Sequence, residues 1–436
     1  MTKTQHEIRD PIHVFVRLGG DERQVVDSRP FQRLRHIHQL ALTHFVYPGA
    51  THRRFEHSLG VMELASRAFD VITRPEHVSD AIRNHIKEIP DQTKLSYWRT
   101  VLRMAALCHD VGHLPFSHAA ERELLPKGWN HERMTRAIIE SDKMREIWEG
   151  LTPPLRARDI VKLALGKKEA RDLDFTNWEA ILSEIITGDA FGVDRMDYLL
   201  RDSHHAGVAY GRFDHYRLLD TLRILPSPQE GDGSEPGEPM LGVSEGGLHS
   251  AEALMLARYF MYAQVYFHPV RRIYDIHLMD FLREWLPNGR FSTDLDDHLA
   301  LTDNEVMAAL LKEAATCPHA SRIVGRQHFK VLYERNPQDT EINPEAAARV
   351  YEALSKQFGE DLFKRDTYPQ PVGQPDFPVE LRDGTIVSSL SKSAAIKQVP
   401  VVSIDTVFAE RCIHEAARKW LQDHRETIIC PNKEET

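Results

Sequence analysis

The chain has 436 residues, a formal net charge of −10 and an unexceptional globular composition, 42% apolar and 28% charged. That length admits two or three domains, or one large domain with an appendage. The acidic balance argues against wholesale nucleic-acid or membrane binding through a basic face, but leaves room for a pocket that concentrates positive charge around an anionic substrate.

Residues 1–20 contain a β-branched run, DPIHVFVRL, that predicts a strand or hairpin. Asp27 or Ser28 then caps a predicted helix carrying Phe31, Leu34, Ile37, His38 and Leu40 at helical spacing, with Arg33 and Arg35 between them. A Pro48–Gly49 turn precedes a long helix from about Glu56, with Leu59, Met62, Leu64, Phe69 and Ile72 on broad apolar faces. Residues 76–98 read as polar surface helix. The stretch 101–118, VLRMAALCHDVGHLPFSH, is apolar nearly all round at its start, which marks a buried helix too short to span a bilayer. It delivers His109 and Asp110 side by side, with Gly112 placed to end it. A helix is expected from His131, and several more over 153–200.

On the last of these, Asp194, Tyr198 and Asp202 recur every four residues and share one stripe. Residues 225–239 are rich in Pro, Gly and acid and predict a mobile loop. The long helical pattern that follows is broken or kinked near Pro269. Helices are expected at 301–316 and 344–358, strands within 377–404, and a last helix over 405–424. The predicted fold is mainly α, a helical core over 1–290 followed by a helical and mixed α/β region over 291–436. Four widely spaced cysteines without a CxxC, and a polar N-terminus, predict a reducing, cytoplasmic setting without a disulfide framework.

Three segments present metal-type donors: His57, the His109–Asp110 pair, and Asp194. Two imidazoles and two carboxylates suit a divalent ion such as Mn, Fe, Zn, Ni or Mg. Taken singly, each also reads as a hydrogen-bonded core residue; their number among apolar neighbours favours a site.

HSLG at 57–60, HDVGHLPFSH at 109–118 and VDRMDYLLRD at 193–202 together resemble the HD-domain phosphohydrolases, and more narrowly the deoxynucleoside triphosphate triphosphohydrolases. DPIH at 10–13, FQRLR at 31–35, FVYPGATHRRFEHSLGV at 45–61 and VYFHPVRRIYD at 265–275 extend the match over about residues 6–280. The resemblance implies His57, His109, Asp110 and Asp194 as metal ligands, His131 as general acid and Glu121 as the carboxylate that orients it. It implies Arg54, His113, His118, Arg195 and Tyr198 around the phosphates, and Gln39, Tyr198 and Asp202 at the sugar. Arg195 replaces a lysine of the mammalian members. Asp27, Gln32 and Arg35 match their guanine-gripping activator residues, while His6 and Arg9 depart from that site; FQRLR also reads as an amphipathic helix with a solvated basic side.

The implied activity is hydrolysis of a deoxynucleoside triphosphate to deoxynucleoside and inorganic triphosphate by a homo-oligomer, a dimer or tetramer, with a nucleotide activator. The competing readings are an HD phosphohydrolase acting on a monophosphate or signalling nucleotide, and a nucleotide-sensing module. A single-stranded nucleic-acid binder or nuclease fits the net charge and the 8% aromatic content poorly.

Overall fold

The structure, a computed structural model, describes residues 5–117, 121–228, 237–368 and 374–430. Among the described residues it is mainly α-helical, with three small sheets. The chain folds into two compact units that interleave along the sequence. The first holds Met1–Met261, Phe291–Asn304 and Gln374–Val399; the second holds Tyr262–Arg290, Glu305–Gly373 and Pro400–Thr436.

In the first unit, strands His6–Asp10 and Val14–Leu18 form an antiparallel hairpin. Asp10 Oδ1 closes the turn by accepting from the amides of Ile12 and His13, each at 2.8 Å. The helix expected through Leu40 is shorter. It spans Arg29–Arg33, continues as one 3₁₀ turn to His36, and is extended at Ile37. Propensity yields here to strand-like pairing: His38 bridges Arg53, and the Gln39 amide donates to His52 O. The apolar residues Phe31, Leu34, Ile37 and Leu40 are nonetheless all buried.

Helix α1 (Arg54–Ile72) and helix α2 (Gln92–Cys108) pack against each other in the core. Asp91 caps α2 ten residues before the buried stretch, accepting from the amides of Thr93 and Lys94. The α2 helix ends at Cys108, and Gly112 does not terminate it. Gly112 instead permits a close approach: a Cβ there would lie 2.2 Å from the Thr135 nitrogen and 2.3 Å from His131 O, both on helix α3 (His131–Ile139). Helices α4 (Ala157–Glu169), α5 (Asn177–Thr187) and α6 (Val193–Ala206) complete the helical layer. The α4 helix breaks at Gly166, whose φ is +71°. Strands Leu222–Pro226, Pro239–Ser244, Pro378–Glu380 and Ile386–Ser388 form the unit's second sheet. The flanks of the stretch expected as a mobile loop are thus paired, Pro226 opposite Pro239, and its residues 229–236 lie outside the described residues.

In the second unit, strand Ile404–Ala409 runs antiparallel between Lys330–Glu334 and Phe363–Tyr368. The last helix therefore begins at His414, not at 405. Ile404, Thr406, Val407 and Phe408 are the β-branched and aromatic types that suit a pleated, buried strand. Helices Ala346–Phe358 and His414–Ile429 cover this sheet through Val350, Leu354, Ala417 and Leu421. Helix α7 (Pro269–Trp285) contributes Ile273 to a cluster with Phe329 and Phe408. Among the described residues, no helix is long and apolar enough to cross a membrane.

Candidate metal centre and active site

His57 lies one turn into α1, His109 and Asp110 follow the last turn of α2, and Asp194 opens α6. The fold brings the four together. His57 Nε2 stands 3.0 Å from Asp194 Oδ1 and 3.6 Å from Asp110 Oδ2. His109 Nε2 stands 3.4 Å from Asp110 Oδ1 and 3.5 Å from Asp194 Oδ1. These separations are about those between neighbouring ligands of one ion bound at roughly 2.0–2.2 Å.

The tautomers agree. His109 Nδ1 is 2.8 Å from Ala106 O, which can only accept, and His57 Nδ1 is 2.8 Å from Asp197 Oδ2. Both rings therefore carry the proton at Nδ1 and turn Nε2 toward the shared centre. His109 Nε2 is buried without a hydrogen-bond partner. Burial alone would depress the His57 pKa, but its bonds to Asp194 and Asp197 and the charge of Asp110 push it up to about 10. The group thus favours added positive charge, and its donor atoms fit a divalent cation.

Asp197 was not singled out in the sequence, and it is the hub behind His57. Fully buried, it also accepts from His13 Nε2 at 2.6 Å and from Arg201 Nε and Nη2 at 2.8 and 2.9 Å. Arg201 in turn reaches Asp10 Oδ2 at 2.8 Å. Its signal was the i+3 spacing from Asp194 in VDRMDY. Gly60 of HSLG is explained by the same hub, because a Cβ there would lie 1.9 Å from Asp197 Oδ1.

Arg54 is buried, donating from Nη1 to Asp110 Oδ2 and from Nε to Ser117 Oγ at 2.9 Å. Burial would raise the Asp110 pKa; Arg54, His109 and His113 hold it well below the usual carboxylate range. His131 opens α3 with both its amide and Nδ1 2.7 Å from Glu121 Oε1. Burial opposes its protonation, but Glu121 and Glu132 raise its pKa. It stacks on His113 with centroids 4.0 Å apart. Burial together with Arg54 and His131 drives the His113 pKa well down, so the two stacked rings are pushed in opposite directions.

A cavity of about 600 Å³ opens onto this group, lined by His109, Asp110, His131 and Asp194. Lys167, Lys168, Glu132, Glu184 and Phe377 share its wall without having been anticipated. Its described lining does not include Arg54, Gln39, His113, Arg195, Tyr198 or Asp202.

Two family descriptions match the chain, "HD domain" over residues 54–202 and "HD associated region" over residues 213–360. An uncharacterized protein of Methanocaldococcus jannaschii is 31% identical over 373 residues, 84% of this chain and 69% of the relative. The crystal structure of a hypothetical protein from Aquifex aeolicus is similar with a TM-score of 0.78 and 34% identity, covering 96% of this chain and 100% of that one. The chain belongs to the HD-domain phosphohydrolases. It is also 28% identical over 394 residues to the deoxynucleoside triphosphate triphosphohydrolase SAMHD1 of Homo sapiens, covering 81% of this chain and 58% of that protein. The match to SAMHD1 of Bos taurus is 28% identical over 77% of this chain and 55% of the relative.

HD domains bind divalent metals, and the His57, His109 and Asp110 cluster is this chain's candidate place for one. Arg195 Nη1 donates to the carbonyls of Gly188 and Asp189. Gln39 is buried with an unpartnered Oε1, and Asp202 Oδ1 is 2.7 Å from His52 Nε2. Tyr198 is half-buried on the same helix as Asp194 and Asp202. His118 lies outside the described residues. Asp27, Gln32 and Arg35 are not joined in one cluster. Asp27 pairs with Arg23, Gln32 donates to Val26 O, and Arg35 bonds Gln32 while lying 3.5 Å above the Phe55 ring. Arg33 is buried and Arg35 exposed, as their offset of two along a short helix suggests.

Proposed function

We propose that the protein hydrolyses a deoxynucleoside triphosphate to the deoxynucleoside and inorganic triphosphate. The observation that carries this is one cavity wall in which His109, Asp110 and Asp194 meet a Glu121-bound His131, with His57 Nε2 3.0 Å from Asp194 Oδ1. A divalent ion held by those four residues would supply Lewis acidity at the α-phosphoryl group and a water of lowered pKa.

The chain's own residues supply the rest. Glu121 engages His131 Nδ1 and raises its pKa, which leaves Nε2–H to protonate the departing 5′-oxygen. Neutral His113, stacked on it, offers a hydrogen bond without adding charge. Arg54 orients Asp110 and offsets negative charge beside the phosphates. Gln39, Tyr198 and Asp202 read the sugar, Gln39 through its unpartnered carbonyl. The SAMHD1 relatives, which are deoxynucleoside triphosphate triphosphohydrolases by name, support the substrate class. In the same reading the protein is a homo-oligomer, dimer or tetramer, and Asp27, Gln32 and Arg35 face an activating nucleotide.

The test is to incubate purified protein with Mn²⁺ and each deoxynucleoside triphosphate, singly and mixed, and to resolve the products. Inorganic triphosphate with free deoxynucleoside is the expected pair. Release of orthophosphate or pyrophosphate would overturn the proposal, as would turnover confined to monophosphates.

A further inference from the structure

The loop that follows the HD pair is strained. Phe116 and Ser117 both take left-handed backbone, with φ of +55° and +58°, and neither is glycine. Such residues are strained and persist only where their surroundings over-determine them. Here the determinants come from residues 301–303, far along the chain in the HD-associated region. The Phe116 amide donates to Asp303 Oδ1 at 2.7 Å. Asp303 Oδ2 accepts from the His38 amide at 2.7 Å and from His38 Nδ1 at 2.6 Å. His38 O accepts in turn from Ser117 Oγ at 3.0 Å, and that oxygen accepts from Arg54 Nε at 2.9 Å. Two residues before Asp303, Leu301 O takes Arg33 Nε and Nη2 at 3.0 and 2.8 Å, and Arg33 Nη1 reaches His113 O at 2.8 Å. Residues 301–303 therefore hold both ends of the 113–117 loop.

We propose that Asp303 is a positioning residue of the hydrolytic site: it fixes the left-handed Phe116–Ser117 step and, through Ser117 and Arg54, sets how Asp110 presents its carboxylate. The inference puts a working part of the site in the HD-associated region, outside the HD match at 54–202. It rests on the proposed hydrolysis only in its kinetic arm. A buried carboxylate taking three hydrogen bonds also stabilises any fold; what singles Asp303 out is that its donors belong to the loop and to the residue the loop leans on.

Hydrogen exchange on the full chain tests this with Asp303→Ala and Asp303→Asn. Asp339→Ala serves as the control, another buried carboxylate, with Tyr333, Asn336 and Arg425 as partners. In Asp303→Ala the amides of 113–117 should exchange about tenfold faster or more while α1 stays protected. Asp303→Asn, which keeps one acceptor oxygen, should lie between. The Co²⁺-loaded variant should show shifted ligand-field bands, and kcat should fall by a larger factor than KM changes. Wild-type loop exchange and a wild-type Co²⁺ spectrum in Asp303→Ala would overturn the inference. So would equal loop loosening in Asp339→Ala, or a loosened loop with unchanged spectrum and kcat. If Asp303→Ala does not fold, Asp303→Asn and Ser117→Ala carry the same comparison. If the wild type hydrolyses no nucleotide, exchange and the Co²⁺ spectrum still decide the matter, so the two failures are distinguishable.

Discussion

What a histidine does in this protein follows from what its other nitrogen touches. His57 and His109 give Nδ1–H to Asp197 and to Ala106 O, which turns two lone pairs toward one centre. His131 also gives Nδ1 to a carboxylate, Glu121, and with Glu132 beside it the raised pKa favours a second proton on the far nitrogen. The proposed acid role predicts that His131→Ala slows turnover by roughly 10²–10⁴-fold with metal content unchanged. Elemental analysis beside single-turnover kinetics checks it, and normal turnover of the natural substrate would place the acid elsewhere. Asp197→Asn should weaken metal affinity by about 10–100-fold, as loss of an orienting partner does, measured by titration with Mn²⁺ or Co²⁺. The residues now gathered around the centre were legible because their motifs are local: HSLG, HD and VDRMD each place a donor inside an apolar run. His13 and Asp303 were not legible, and Asp197 left only its i+3 spacing from Asp194. Their partners are separated from them by 184 residues in the case of His13 and Asp197, and by 265 for His38 and Asp303. No spacing rule on one helix reports such a bond.

At the scale of elements, close approach decides more than propensity does. Gly112 has the sequence look of a helix stop, yet α2 has already ended at Cys108. What requires glycine is the backbone of α3 against it. Gly112→Ala should therefore displace the start of α3, where His131 sits, and destabilise the protein by about 1–3 kcal/mol or more. A melting curve and turnover measured together check this: loss of activity exceeding the loss of folded protein is expected, and a wild-type profile would refute the contact. The hairpin, α1 and the break at Pro269, which opens α7, were readable from pattern and turn chemistry. The helix through Leu40 was misread because tertiary pairing at His38 and Gln39 overrides a helical apolar spacing. The 404–409 strand was misread as helix because a short apolar run of four to eight residues does not separate the two by periodicity.

At the scale of the molecule, the two units interleave, with 291–304 and 374–399 returning to the first after excursions into the second. The crossing after Gly373 falls in a Pro-rich stretch, with Pro369, Pro371, Pro375 and Pro378, which marks a break in the sequence but not which unit either side joins. The second unit carries a charge device of its own in His277 on α7. This side chain is fully buried, and its Nε2 accepts from the Phe329 amide at 3.3 Å. Burial, with Arg322, His319, Lys364 and His328 around it, pushes its pKa down to about 2. His277, Asp280 and His319 lie close enough to hold a metal, but Lys364 Nζ already sits 2.8 Å from Asp280 Oδ2, and the Phe329 bond commits the proton to His277 Nδ1. The neutral ring makes stability pH-dependent. The unfolded chain takes up this proton near pH 6.5 while the folded chain does not, so stability is full above that value and falls as pH drops toward 2. By pH 5 the loss from His277 alone should reach about 2 kcal/mol, at 1.36 kcal/mol per pH unit below 6.5. Urea unfolding at pH 8, 6.5 and 5 reads this directly. His277→Gln, which cannot take the proton, should be less stable at pH 8 but lose less between pH 8 and 5. Equal pH slopes in the two proteins would show that His277 is protonated in the folded state.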